Sequence, residues 1–312
     1  MQWEDPARPG YLNAVASDPG VRVRLAADRT FAQTAYVEGD RALAAGETLT
    51  LEVGMDERGP GMRSQLLHQD SFPFKLFVDP AGNGIFHRVG AWPTIHILGG
   101  PAAALQLHAA PTPDPGETFR VVVAATDFIG NLAQRYHGTI RFYGAAAFHG
   151  LPETYTFTPD DRGIAVFHVH VDEAGRFLPR AVDVDQPQLQ GTGNPVVTDG
   201  SFGPGKIYFG DVHTHSQCSD GRLPLEQKAR EVGLHRGCDF WCLTDHAYDL
   251  TTERLANIRD VLARVDDSGR FVTIPGYEWT CTDGHGRACA RTYYGHRNVH
   301  FRDHMTYAAD GL

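Results

Sequence analysis

The stretch that decides the fold runs from residue 206 to residue 221, KIYFGDVHTHSQCSDG. An apolar run leads into Asp211-Val212-His213-Thr214-His215 and then breaks into a polar loop ending Ser219-Asp220-Gly221. Side chains alternate along a strand, so His213 and His215 share a face with Cα atoms about 6.5 Å apart. Two imidazoles at that spacing can converge on one cation. A second pair with the same spelling, FHVHV at 167–171, sits inside an alternating run with Phe167, Val169 and Val171 on the opposite face. It reads as the polar face of a sandwich strand, and no ligand set is expected to grow from it.

Working outward, the chain changes character at this stretch. Residues 1–98 read as short β segments separated by turns such as DERGPG and DPAGNG. The segment AWPTIHILGGPAAAL connects them to a second unit, 99–199, whose strand-like runs GETFRVVVAATDFIGN, GTIRFYG, TYTFTPDDRGIAVFHVHVDEAGRF and PRAVDVD suggest an antiparallel sandwich. A Gly-rich linker covers 200–206. From 207 to 312 strands alternate with helices, the signature of a parallel α/β sheet or barrel.

In that last region a strand is expected at 207–213. A helix follows, with Leu225, Ala229 and Val232 on one face. After the strand FWCLTDH comes a longer helix, with Thr251 or Thr252 as N-cap, Leu255, Ile258, Leu262 and Val265 as its apolar stripe, and Gly269 as its stop. FVTIPGYEW and HRNVHF complete the run.

Composition bounds the partners. The 312 residues are 42% hydrophobic and 21% charged with a formal net charge of −10, which argues against a nucleic-acid or membrane-surface binder. An anionic substrate still fits if bound cations reverse the local field. No basic segment followed by an apolar core opens the chain, and no apolar run approaches a membrane span, so a cytoplasmic location is expected. The five cysteines are an odd set confined to the C-terminal third, Cys218, Cys238, Cys242, Cys281 and Cys289, and do not read as a disulfide framework.

Ligand sites in parallel α/β domains gather at the C-terminal ends of strands. The first strand delivers His213 and His215, with Asp220 in the loop; the second delivers Asp245 and His246; the third delivers Glu278; the fourth delivers His296, with His300 and His304 beyond. Imidazole and carboxylate recur at every strand end. Such a set, without thiolate, suits Zn²⁺, Mn²⁺ or Fe²⁺ and metal-assisted hydrolysis. Asp245, beside His246, is expected to orient a ligand rather than to be one.

The motifs GDVHTHSQCSDG, GCDFWCLTDH, PGYEW and GHRNVHF resemble successive motifs of the PHP (polymerase and histidinol phosphatase) superfamily, and AATDFIGN, YTFTPDDRG and DEAGRF resemble bacterial immunoglobulin-like modules. Together they imply a multidomain protein: an N-terminal all-β, immunoglobulin-like region followed by the first half of a distorted (β/α)7 barrel. The PHP resemblance implies up to three divalent metals (Mn, Zn or Fe). His213 and His215 would bind the first, Glu278 would bridge first and second, His296 would bind the second, and Asp220 and His246 would hold the third. It further implies hydrolysis of a small phosphorylated substrate by a metal-bridging hydroxide. The superfamily also uses a later histidine and an Asp-x-His pair, so the expectation is the N-terminal part of a longer enzyme, or a pseudo-enzyme. The alternative is a β-sandwich binding protein with a vestigial PHP segment.

Three further features are weighed against these. Cys281, His285 and Cys289 could form a zinc loop but read better as a mobile active-site loop; Arg287, Arg291 or Arg297 could meet a phosphate or simply be solvated; Cys238 and Cys242 flank a buried strand and read as core.

Overall fold

The structure is a computed structural model describing residues 5–27, 35–54, 61–267, 270–280 and 295–301. It divides into two compact units: residues 1–66 with 73–93, and residues 67–72 with 94–312. The expected boundary at 98/99 therefore moves to 93/94. A short piece, 67–72, leaves the first unit and packs in the second. The boundaries expected at 199 and 206 separate no compact units, because 99–199 and 207–312 fall in one.

The first unit consists of two-stranded antiparallel pairs: Leu12–Ala16 with Leu49–Val53, Val23–Ala27 with Ala35–Gly39, and Phe77–Val78 with His87–Arg88. Many of its apolar side chains, Leu51, Phe77 and Phe86 among them, stay exposed. The connection expected at 91–105 holds two strands instead, Thr94–Ile97 and Ala104–Ala109. Its Gly-Gly-Pro break was legible, but the alternating TIHI and ALQLHA on either side satisfy strand periodicity as well.

The second unit begins with a β-sandwich. One sheet orders Ile164–Val169, Phe119–Thr126 and Ala104–Ala109; the other orders Thr154–Thr156, Thr139–Tyr143, Arg180–Asp183 and Gln190–Thr192, with antiparallel pairing in both. The inner faces share one core, in which Val121, Val123, Ile140, Phe148, Phe157 and Val169 are essentially sealed from water. Each such side chain contributes about 1.5–3 kcal/mol of transfer free energy.

The α/β segment follows, with sheet order Gly210–Thr214, Phe240–Leu243, Val272–Thr280, His296–His300. The first three strands are parallel. The fourth is antiparallel, pairing Glu278 with Asn298, a departure from the all-parallel sheet expected. Residue alternation encodes which face a side chain takes but not which way the strand runs. The first strand also starts later than expected. Ile207 to Phe209 are exposed, and the Phe209 N–H donates to the Asp239 carboxylate (2.8 Å) instead of a ladder.

Both helices bury the expected faces. Leu225, Ala229 and Val232 are buried along Leu225–Arg230 and the wide turn Glu231–His235 that continues it. In Thr252–Val265, Leu255, Ile258, Val261 and Leu262 pack inward, and the Thr251 side chain accepts the Arg254 N–H at 3.2 Å as N-cap. Val261 joins the stripe, and the half-buried Val265 packs against the same core. The cap at the far end is Asp266; the expected Gly269 stop lies outside the described residues.

Segment 67–72 lies where sandwich and α/β segment meet. Asp70 accepts from Gln134 (3.2 Å) and Arg162 (3.5 Å) of the sandwich and pairs with Arg230 of the first helix. Its backbone N–H donates to Gln227 (2.8 Å). His68, buried, faces Glu231 at 3.4 Å, and Glu231 also meets His235 at 2.9 Å. Burial alone would raise the Glu231 carboxyl, but the two imidazoles hold it far below the carboxylate range. Burial likewise opposes charge on His68, yet Glu231 raises its pKa above the usual imidazole value. Among the described residues no helix is long and apolar enough to cross a membrane.

Candidate metal centre

The strand ends of the α/β segment converge as their order in the sheet requires. Thr214 sits between the two histidines of the first strand and points the other way, into the core. Its hydroxyl accepts from the Trp241 indole (2.7 Å) and donates to the Cys242 carbonyl (3.1 Å). That anchor turns His213 and His215 outward together, with ring centroids 5.3 Å apart. The loop returns so tightly that a Cβ on Gly221 would stand 2.4 Å from the His215 carbonyl carbon. Glycine is needed there for the close approach that brings Asp220 back to His215.

Glu278 is the hub, almost wholly buried. Its Oε2 faces His213 Nε2 at 3.2 Å, His215 Nε2 at 2.8 Å and His246 Nδ1 at 3.5 Å. Its Oε1 meets His296 Nδ1. Asp220 forms a second hub: Oδ1 lies 2.5 Å from His215 Nδ1 and Oδ2 lies 3.5 Å from His246 Nε2. Donor atoms within 4.8 Å of one another define three overlapping groups: His213, His215, Glu278; His215, Asp220, His246; and His246, Glu278, His296.

The electrostatics follow from this crowding. Burial pushes the Glu278 carboxyl up, but hydrogen bonds from His213 and His296 and the nearby His246 outweigh it and hold it below its ordinary value. Asp220 is lowered in the same way, with His215 as the main opposing partner to burial.

All six expected ligand positions, His213, His215, Asp220, His246, Glu278 and His296, are therefore brought together. Asp245 is not among the converging donors. Its fully buried carboxylate accepts from the Ser216 N–H and hydroxyl, both 2.7 Å, and from the Ser219 hydroxyl at 2.5 Å. It fixes the loop that carries Asp220. His300 points elsewhere, to the Val212 carbonyl (3.2 Å), which separates it from His296. His304, Arg287, Arg291 and the Cys281–His285–Cys289 loop lie outside the described residues. Arg297 is exposed and donates to the His296 carbonyl (2.9 Å). Cys242 is sealed in the core, where burial pushes its thiol to about 12, and burial also raises Cys218 and Cys238.

Sequence reasoning missed Tyr248, whose ring stacks on His246 at 5.0 Å and 18°. It also missed Ser216 and Ser219. The signal for Tyr248 was its place two residues after a strand-end histidine; the serines carried none, since polar loops are full of them.

The residues present fit divalent cations. Four imidazoles and two carboxylates are the donor set expected for Zn²⁺, Mn²⁺ or Fe²⁺. The buried Nε2 of His215 has no hydrogen-bond partner, although Glu278 stands 2.8 Å away: the two are close but not aligned for a bond. That orphaned buried nitrogen leaves a lone pair free for a cation.

No family model matches the chain. An uncharacterised protein of Chlamydia pneumoniae is similar at 20% identity over 248 residues, 76% of this chain and 39% of that protein. The chain thus spans well under half the length of the curated relative it matches. Among solved structures, similarity is found to a beta-glycosidase from Bacteroides vulgatus (12% identity, 63% of this chain, 24% of that chain, TM-score 0.30). It is found also to the D00-D0 domain of intimin (12%, 60% and 84%, TM-score 0.24) and to the Yersinia pseudotuberculosis adhesin InvE (11%, 62% and 50%, TM-score 0.24).

Proposed function

We propose that the α/β segment is part of a PHP-type metal-dependent phosphoesterase, with the strands at 210–214, 240–243 and 272–280 as the opening of a distorted barrel and an immunoglobulin-like sandwich ahead of it. The observation that carries the reading is the hub at Glu278. One buried carboxylate directs one oxygen to His213, His215 and His246 and the other to His296. What sets Glu278 apart from the structural carboxylates Asp70 and Asp245 is that all four of these partners are imidazoles, each itself able to ligate a cation.

Cations bound there supply Lewis acidity toward an anionic phosphoryl group. The chain's residues do the rest. His213, His215 and Glu278 form one side, His246 and His296 the other, and Asp220 closes the loop over His215 and His246. Asp245 keeps that loop in place through Ser216 and Ser219. Tyr248 covers one face of His246, and its hydroxyl stays protonated because burial and the carboxylates of Asp249, Asp220 and Glu278 all raise its pKa. With a net charge of −10, the protein accepts a small phosphorylated substrate only where local charge is reversed.

The test is metal analysis of the purified chain beside Glu278→Gln and the half-exposed His213→Ala. Stoichiometric Mn, Fe or Zn that falls in both variants supports the reading; a chain free of such metals overturns it. A panel of phosphomonoesters, phosphodiesters and amides then separates phosphoester from amide hydrolysis.

A further inference from the structure

The pair at 168–170 does not stand alone, as was expected of it. Val169 and Val171 are buried in the sandwich, which turns His170 outward between them. Across from it runs the irregular segment that follows Ala145–Ala147. There Phe148 and Leu151 are the buried anchors and His149 is turned out. The two histidines form an isolated antiparallel bridge, with backbone hydrogen bonds of 2.9 and 3.1 Å in the two directions. Gly150 lets the segments lie this close: a Cβ there would stand 2.6 Å from the His168 carbonyl oxygen, and its φ of 95° suits glycine.

The backbone bridge places the two rings nearly parallel, centroids 5.0 Å apart at 19°. Asp172, at the start of the next turn, brings its carboxylate to both: Oδ2 lies 3.4 Å from His149 Nε2 and Oδ1 lies 3.7 Å from His170 Nε2. These are longer than the 2.7–3.2 Å of ordinary N–H···O bonds. They set one carboxylate oxygen toward each imidazole. The three donor atoms all lie within 4.8 Å of one another.

We propose that His149, His170 and Asp172 form a second, surface metal site on the sandwich, selective for zinc-class divalent ions. Two imidazoles and one carboxylate without thiolate favour Zn²⁺, Cu²⁺ and Ni²⁺ over Mg²⁺ or Ca²⁺. The side chains are 55%, 40% and 59% exposed, so water completes the coordination. The ion ties the 148–151 segment to the end of the 164–169 strand, and its role is to brace that edge of the sandwich. It is separate from the Glu278 group and does not depend on that group's function.

The experiment is equilibrium dialysis of the full chain against Zn²⁺ alone, with bound metal counted by elemental analysis. It is run on wild type, His149→Ala, Asp172→Asn, and a chain carrying His213→Ala, His215→Ala and Glu278→Gln. One Zn²⁺ per chain is expected to be lost in His149→Ala and in Asp172→Asn, and one to be retained in the triple variant. An unchanged count in both single variants overturns the proposal. Both substitutions are on the surface, and Asp172→Asn keeps the side-chain shape, so the fold is preserved in at least that variant. If the Glu278 group holds no metal, the wild-type count is one and His149→Ala removes it, so the two readings fail separately.

Discussion

Two His-x-His pairs lie in the second unit, and they differ in what folds around them. His213 and His215 sit at the end of a parallel strand, where neighbouring strands deliver His246 and Glu278 to the same side. His168 sits on an antiparallel sheet opposite Arg120, which is no ligand, and His170 lies one residue past the end of that strand. The second pair finds its company off the sheet, in His149 and Asp172. A parallel sheet collects side chains from many strands at one end; an antiparallel sheet collects them only where a loop happens to return. The same spelling therefore leads to a six-residue cluster in one place and a three-residue cluster in the other, with only one histidine of the second pair recruited.

The largest break in that comparison comes from Glu278→Gln. Metal affinity of the strand-end cluster should fall by more than about 100-fold, since even partners outside a coordination shell are worth 10–100-fold. The sandwich cluster should be untouched. Metal titration of both clusters by dialysis checks this.

Asp245→Asn is the next. It leaves all six converging side chains in place but weakens the hold on Ser216 and Ser219. A loss of about 10–100-fold in metal affinity is expected, confined again to the strand-end cluster. Equal loss in both clusters would show that it acts through global stability.

A third variant sharpens how the two parts are joined. Against the upward push of burial, Glu231 is depressed by His235 first and by His68, and His68 is raised against burial by Glu231. The stability due to Glu231 is present above its unfolded pKa of about 4.3 and is lost as pH falls through its depressed folded value. That due to His68 is present below its unfolded pKa of about 6.5 and is lost as pH rises through its raised folded value. The difference in Tm between wild type and Glu231→Gln should therefore be greatest in mildly acidic solution, between those two unfolded values, and shrink on either side. A difference independent of pH would mean that packing, not charge, joins the parts.

The smallest effect is local. Thr251→Ala removes the N-cap of Thr252–Val265 and should cost about 1 kcal/mol in chemical denaturation. It should leave Zn²⁺ binding at the sandwich cluster unchanged.

Much of this was legible in the sequence because it depends on periodicity. Leu255, Ile258 and Leu262 mark a helix face, and residues 213, 215, 246 and 278 mark strand ends, by spacing alone. What was hidden depends on long-range geometry. His149 precedes His170 by a hairpin's length and lies in a segment with no period, so nothing local ties it to FHVHV. The reversed direction of His296–His300 was hidden because alternation is symmetric under reversal. The role of Asp245 was visible as an adjacency, but its partners Ser216 and Ser219 were not, since hydroxyls in a loop carry no pattern.

Segment 67–72 has a consequence for the order of assembly. Its contacts through Asp70 reach Gln227 and Arg230, 157 and 160 positions away. Bonds that span so much chain close late, because the entropy of a large loop is lost before they form. During synthesis the segment leaves the ribosome long before the helix it meets, at about 5–20 residues per second. For roughly ten to thirty seconds, on those rates, Asp70 can meet Gln134 and Arg162 but not yet its partners in the first helix. The joint between sandwich and α/β segment thus closes in stages, and its last bonds form only once translation has passed residue 230.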